Sequence, residues 1–171
     1  MAEEIKNKVA ESKLITLDLQ DYYLEGQRSQ IDVAQWLEEG LILREKSFRQ
    51  AVNSFDFSVF KNHFVALHCS TDAIIPVWAY MLLTSKLTGV AQAIVFGDLQ
   101  QLESFLMRES LSRLDLSAFS GKNIIVKGCF EKPIPSSAYV QIMQQLSSVA
   151  NAVFYGEACS SVPVFKKPKS V

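Results

Sequence analysis

Short apolar runs alternate with longer stretches of helical spacing along much of the chain. Residues 64–67 and 123–126 are apolar runs rich in strand-forming residues, which is typical of buried parallel strands. Each run is followed by a proline that suits a first helical turn, and then by a helical stretch. Apolar runs at residues 93–96 and 152–155, each stopped by a glycine, complete the pattern. The sequence therefore predicts two strand–helix–strand units.

An internal repeat relates the two predicted units. When residues 56–98 are placed over residues 115–157, a shift of 59, 12 of 43 positions are identical. Unrelated segments would share about 6% of positions, so chance is a poor explanation. The repeat predicts a duplication within a single domain, residues 1–171, in which residues 1–55 form an N-terminal extension.

The predicted fold class is α/β, with one parallel sheet built from two duplicated βαβ units. Leu99–Leu111 has helical periodicity and supplies the crossover between the units. Right-handed crossovers favour strand order 2-1-3-4, which makes the first strands of the two units neighbours. In the N-terminal extension, Leu14–Leu19 is predicted as a strand, and Asp32–Glu38 and Glu45–Val52 as helices.

Charge and apolar content exclude several classes of protein. The 18 acidic and 17 basic residues leave a net charge of -1, so we expect neither nucleic acid nor a membrane as a partner. The longest apolar stretch, Ala73–Leu83, has 11 residues, fewer than the ~20 that span a bilayer, and predicts a buried helix. The first 13 residues carry both charges and no apolar run, so they do not resemble a signal peptide, and the expected location is the cytoplasm.

Three cysteines are the main candidates for chemistry. An odd number of cysteines without an export signal predicts reduced thiols rather than disulfides. Cys69 follows the first predicted strand, Cys129 the third and Cys159 the fourth. Because the carboxyl ends of parallel strands share one edge of a sheet, we expect the three thiols at that edge. Asp98 and Glu157 occupy equivalent positions in the repeat and add two carboxylates there.

This grouping supports two hypotheses about the site. In the first, the protein is a metal- or iron–sulfur-binding accessory protein, because thiolates are soft ligands that suit Zn²⁺ and iron–sulfur clusters. Its ligands would be Cys69, Cys129 and Cys159, with His68, Asp98 or Glu157 as the fourth. In the second, Cys69 is the nucleophile of a thiol enzyme or sulfur carrier and Cys129 resolves it.

A third hypothesis is a protein-interaction module in which the cysteines are inert, since a cysteine at a strand end is often a small buried hydrophobe. Its surface would come from the N-terminal extension, where Trp36, Leu37 and Leu41–Leu43 form an apolar group. This group could extend the sheet, cover an edge or form the face of a homodimer. Simple packing against the core of the repeat is favoured.

Three segments resemble the bacterial "domain of unknown function 2480" family: Ile75–Tyr80, Val126–Cys129 and Gly156–Pro163. The resemblance extends from Leu14–Leu19 to the lysine-rich C-terminal tail. It implies a bacterial cytosolic protein without an established activity. As context from the same family, whose genes often lie near those for iron–sulfur cluster assembly, the resemblance also implies the iron–sulfur assembly machinery as a protein partner.

Overall fold

The computed structural model describes residues 14–127, 131–157 and 159–168, which form a mixed α/β fold. The strands are β1 Leu14–Asp18, β2 Arg28–Asp32, β3 Phe64–His68, β4 Ala93–Phe96, β5 Asn123–Lys127, β6 Ala152–Glu157 and β7 Ser160–Lys166. The α-helices are α1 Glu45–Ser54, α2 Val77–Leu87, α3 Leu99–Ser112 and α4 Ser136–Val149. Within the described residues, no helix combines the length and apolar content that crossing a membrane requires.

The elements divide into two compact units, each with its own sheet and core. Unit 1 comprises the described residues up to Leu24 and from Leu106 onward, and unit 2 comprises Glu25–Phe105. The sheet of unit 2 has the order β2-β3-β4, with all strands parallel. The sheet of unit 1 has the order β1-β5-β6-β7, and only β7 is antiparallel to its neighbour.

The structure does not have the single sheet of order 2-1-3-4 that the sequence predicted. Strands β3 and β5 were expected to be neighbours, yet they lie in different sheets, where β2 pairs with β3 and β1 pairs with β5. The repeat could not reveal this pairing, because both added strands come from the N-terminal extension. The helix predicted at Asp32–Glu38 is also wrong: β2 ends at Asp32 and a 3₁₀ turn occupies Val33–Trp36. The duplication and the single domain stay predictions.

The core of unit 2 forms between β3 and two helices. Residues 64–67 of β3 are all buried, as expected for the central strand of a parallel sheet. Helix α2 buries three residues spaced four apart, which places them on one helix face: Ala79, Leu83 and Leu87. Helix α1, which confirms the helix predicted at residues 45–52, adds Phe48 and Val52.

The apolar group of the N-terminal extension packs mostly on this core, as the sequence analysis favoured. Its partly buried members there are Trp36, Leu37 and Leu43, whereas Leu41 and Ile42 are exposed. The rings of Trp36 and Trp78 both meet Phe48 edge-on, with centroid distances of 5.8 and 5.7 Å. Since the chain has two tryptophans, its tryptophan fluorescence reports on unit 2 alone.

The core of unit 1 is built in a similar way. Helix α4 buries three residues spaced four apart: Ala138, Ile142 and Leu146. They join a cluster that includes Ile124 and Val126 of β5. Strand β7 returns along β6, and Gly156 of β6, paired with Ser161 of β7, has φ 119°. A Cβ at Gly156 would lie 2.7 Å from the carbonyl oxygen of Ser160, so this strand position requires glycine.

Four aspartates cap 3₁₀ turns in the same manner. In each case the side chain accepts a hydrogen bond of 2.9 Å from the N–H two residues further on, a favourable local bond for aspartate. The capping residues are Asp18, Asp32, Asp56 and Asp115.

Candidate functional site

The carboxyl edge of the unit 2 sheet brings several polar groups together. Strands β2 and β3 end side by side at Asp32 and His68, and Cys69 follows immediately. Nε2 of His68 is buried and has no hydrogen-bond partner among the described residues. Ligands of parallel sheets commonly bind at this edge, so these side chains are the first candidates for a site.

Asp32 is hydrogen-bonded to the loop that carries Cys69. Its Oδ1 accepts hydrogen bonds from the N–H of Ala34 at 2.9 Å and from the N–H of Ser70 at 3.0 Å. Burial raises the pKa of Asp32, but hydrogen bonds from Ser70 and Ala34 and the charge of His68 outweigh this effect, so the pKa lies below its ordinary value. The carboxylate is therefore charged at neutral pH and ties the end of β2 to the residue after Cys69.

Cys69 is half-buried and packs partly against the core of unit 2. Its Sγ lies 3.4 Å from Oγ1 of Thr71, close enough for a hydrogen bond. Tyr80 of α2 is nearby: burial raises its pKa, and electrostatic interactions with Cys69 and Asp32 raise it further. At this edge the thiol of Cys69 and the hydroxyl of Thr71 are therefore in contact, on a loop that is hydrogen-bonded to Asp32.

Asp98, a predicted metal ligand, caps helix α3. Its Oδ1 accepts a hydrogen bond from the N–H of Gln101 at 2.9 Å, and its own N–H donates to Oε1 of Gln101 at 2.7 Å. This reciprocal pair is a capping box, which satisfies two backbone donors at a helix start. The spacing of Asp98 and Gln101 at the start of a stretch with helical periodicity is the sequence signal for this role.

At the corresponding edge of unit 1, Lys127 ends β5 and its Nζ lies 3.1 Å from Oε1 of Glu157 on β6. Cys159 is exposed in the turn between β6 and β7. Cys129 lies outside the described residues. The remaining predicted ligands, His68, Cys69 and Asp98, belong to unit 2.

Within the ranges that the structure describes, no three histidine, cysteine, aspartate or glutamate side chains are grouped as metal ligands. The three-cysteine site rests in part on Cys129 and stays a prediction.

Unit 2 also carries an apolar surface that the sequence analysis missed. Helix α2 and strand β4 flank an open trough of about 660 Å³, in which the rings of Tyr80 and Phe96 meet edge-on at 5.0 Å. Large apolar side chains here are strongly exposed: Ile74 92%, Val77 73%, Met81 66% and Phe96 70%. We call these four residues the α2–β4 surface. The buried helix predicted within Ala73–Leu83 thus has only one buried face.

Unit 1 has a similar trough between α4 and β6, where Tyr139 and Tyr155 meet edge-on at 5.7 Å. Here β7 pairs with the outer side of β6, and Val164 of β7 lines the trough. No described strand pairs with the outer side of β4. Among the described residues, the outer side of β6 in unit 1 is therefore paired with a strand, whereas the outer side of β4 in unit 2 is not.

A family model described as "Protein of unknown function (DUF2480)" matches residues 3–167 of the chain. Comparisons with curated proteins and with solved structures find no match. The family match covers both units and every candidate residue discussed above.

Proposed function

The chain belongs to the DUF2480 family, and from the geometry of unit 2 we propose that it is a protein-interaction module. The partner docks on the α2–β4 surface. The observation that carries this proposal is the exposure of large apolar side chains along one trough: Val77, Met81 and Phe96 line it, and Ile74 adjoins it. Contiguous exposed apolar side chains of this kind mark interaction surfaces in soluble proteins.

The energetics favour docking at this surface. Burying one large apolar side chain contributes about 1.5–3 kcal/mol relative to leaving it in water. Within α2, Lys86 is the one charged residue, so few charges would have to be desolvated. Association costs several kcal/mol of lost freedom, so a partner must cover most of the surface to bind stably.

Site-specific photo-crosslinking in the source cells tests the proposal. A benzophenone amino acid replaces Met81, and in a matched variant it replaces Val140, the repeat equivalent on α4, which is 62% exposed. We expect a discrete protein adduct from position 81 and much less from position 140, because β7 already pairs beside the unit 1 trough. No adduct from position 81, or equal adducts from both positions, would contradict the proposal.

Thiol chemistry at Cys69 is a second candidate, favoured by its position directly after a strand end and by the contact of its Sγ with Oγ1 of Thr71 at 3.4 Å. Site-resolved alkylation near neutral pH tests it, with the exposed Cys159 as the reference thiol in the same chain. Alkylation of Cys69 faster than that of Cys159, despite its lower exposure, supports a reactive thiol. Slower alkylation removes this candidate. A Cys129→Ser variant tests whether Cys129 acts as the resolving thiol.

Metal or iron–sulfur binding by Cys69, Cys129 and Cys159, with Asp98 or Glu157, is carried forward as a proposal of the sequence alone. Elemental analysis of anaerobically purified protein for zinc and iron tests it. Metal in the wild type that is lost in the Cys129→Ser variant is the expected result. Protein that stays free of metal after zinc addition and cluster reconstitution contradicts it.

A further inference from the structure

We propose that the occupant of the α2–β4 surface is a second copy of this chain, whose β4 pairs antiparallel with β4 of the first copy across a twofold axis. The two unit 2 sheets then form one continuous sheet. This inference rests on the proposed function of the same surface and adds the identity of the partner.

The outer edge of β4 has no charged residue, proline or β-bulge that would block edge pairing. Its sequence is Ala-Ile-Val-Phe, whereas every other strand among the described residues contains a polar residue or proline. Two other edge strands are protected: β7 by Pro163 and Lys166, and β2 by Arg28 and Asp32. An unprotected apolar edge recruits another strand.

The direction of the backbone defines how β4 can pair. The N–H of Gly97 donates to the carbonyl of Leu67 on β3 at 2.9 Å, so alternation along the strand turns the backbone groups of Phe96 and Ile94 to the open side. With Val95 on the twofold axis, Ile94 of each copy lies opposite Phe96 of the other. Residues placed in this way exchange both of their backbone hydrogen bonds in an antiparallel pair.

The same register buries the apolar side chains. Phe96 contacts Tyr80 of α2, and Ile94 packs in the core that α2 covers, so both side chains lie on the helix-bearing face. A twofold axis perpendicular to the sheet keeps both α2 helices on that face and brings them towards each other. Val77 and Met81 of the two copies then cover the paired strands. Such an interface is self-complementary and closed.

Unit 1 shows the mode of pairing within one chain. The outer side of β6, the repeat equivalent of β4, is covered by an antiparallel strand with apolar residues, and Tyr155 lies opposite Val162. Strand β4 is itself a short apolar strand, so it can pair antiparallel with a second β4 as β7 pairs with β6. The net charge of -1 gives little repulsion between two copies.

Light scattering after size exclusion, over a dilution series, tests the proposal on the full chain. We expect a wild-type dimer, loss of the dimer in Phe96→Glu, and an intact dimer in Tyr155→Glu, the equivalent substitution on the covered strand. Phe96 is mostly exposed, so its replacement should leave the fold intact, and tryptophan fluorescence checks this. Hydrogen exchange should show protection of the Ile94 and Phe96 amides that is lost on dilution.

Two results overturn self-pairing: a wild type that stays monomeric, and a dimer that survives Phe96→Glu. A monomer that still forms an adduct with a different protein from position 81 overturns only the identity of the partner. A monomer that forms no adduct overturns the proposed function as well.

Discussion

Replacing Asp32 with alanine should destabilise unit 2 more than replacing any aspartate that only caps a turn. Asp32 accepts hydrogen bonds from two backbone groups, the N–H of Ala34 and the N–H of Ser70. Its counterpart Asp56, in the same unit, accepts one backbone bond, from Ser58, on an exposed side chain. Comparing Asp32→Ala with Asp56→Ala therefore separates the effect of losing a cap from the effect of losing the hydrogen bond to the Cys69 loop.

The magnitude follows from the two bonds of Asp32. Loss of a capping side chain costs about 1 kcal/mol, and the further hydrogen bond to the N–H of the exposed Ser70 contributes about 0.5–1.5 kcal/mol. We expect Asp32→Ala to lower the free energy of unfolding by roughly 1.5–2.5 kcal/mol. With a urea slope of about 1–3 kcal/mol per molar, the midpoint should fall by roughly 1–2 M.

Urea unfolding followed by tryptophan fluorescence is the suitable assay, because Trp36 and Trp78 both lie in the core of unit 2. Asp32→Asn keeps an acceptor oxygen and should recover most of the loss at neutral pH. If Asp32→Ala lowers the midpoint no more than Asp56→Ala does, the bond to Ser70 contributes nothing and the reasoning fails.

Three further predictions follow from individual contacts. The pKa of Asp32 is held below its ordinary 3.8, so the advantage of the wild type over Asp32→Asn should be present above that pH and disappear as the pH falls through the folded-state pKa. Urea midpoints at several pH values measure this, and an advantage that does not shrink as the pH is lowered below 3.8 contradicts it. Leu87→Ala should lower the free energy of unfolding by about 2–5 kcal/mol. Replacing its exposed neighbour, Lys86→Ala, should leave the urea midpoint measured by fluorescence nearly unchanged. Equal effects would contradict the assigned core. Gly156→Ala should lower the free energy of unfolding by about 1–3 kcal/mol, because of backbone strain and a clash with backbone atoms. Gly121→Ala is the control and should cost less, since Gly121 has positive φ but open space around the Cβ position. Urea unfolding followed by circular dichroism measures both variants, and an equal loss of stability would contradict the clash.

The elements that depend on local pattern were predictable. The run at 64–67 became β3, the helical periodicity at 99–111 became α3, and the helix at 45–52 became α1. Each signal lies within a few neighbouring residues, where spacing and caps determine the conformation. The repeat also led correctly to an α/β fold with parallel strands.

Strand neighbours were not predictable, because pairing joins residues far apart in the chain. Strand β2, Arg-Ser-Gln-Ile-Asp, buries only Ile31 and lacks the apolar run that identifies a central strand. Strand β1 was predicted at Leu14–Leu19, but its pairing partner was not, and β2 was missed, so the simplest arrangement was a single sheet with β3 beside β5. The prediction that the cysteines share one sheet edge depended on that arrangement. In the structure, Cys69 lies at the edge of the unit 2 sheet and Cys159 belongs to unit 1.

The composition of α2 remains informative even though the predicted burial was incomplete. A helix that is apolar on all sides is normally enclosed by protein or lipid, yet Val77 and Met81 are mostly exposed and α2 is too short to span a membrane. In contrast, α1 places polar residues on its outer face, and only Phe48 and Val52 are buried. A second copy docked as proposed would complete the enclosure of the N-terminal half of α2. The open edge of β4, which adjoins the same trough, is the side from which the proposed copy would approach.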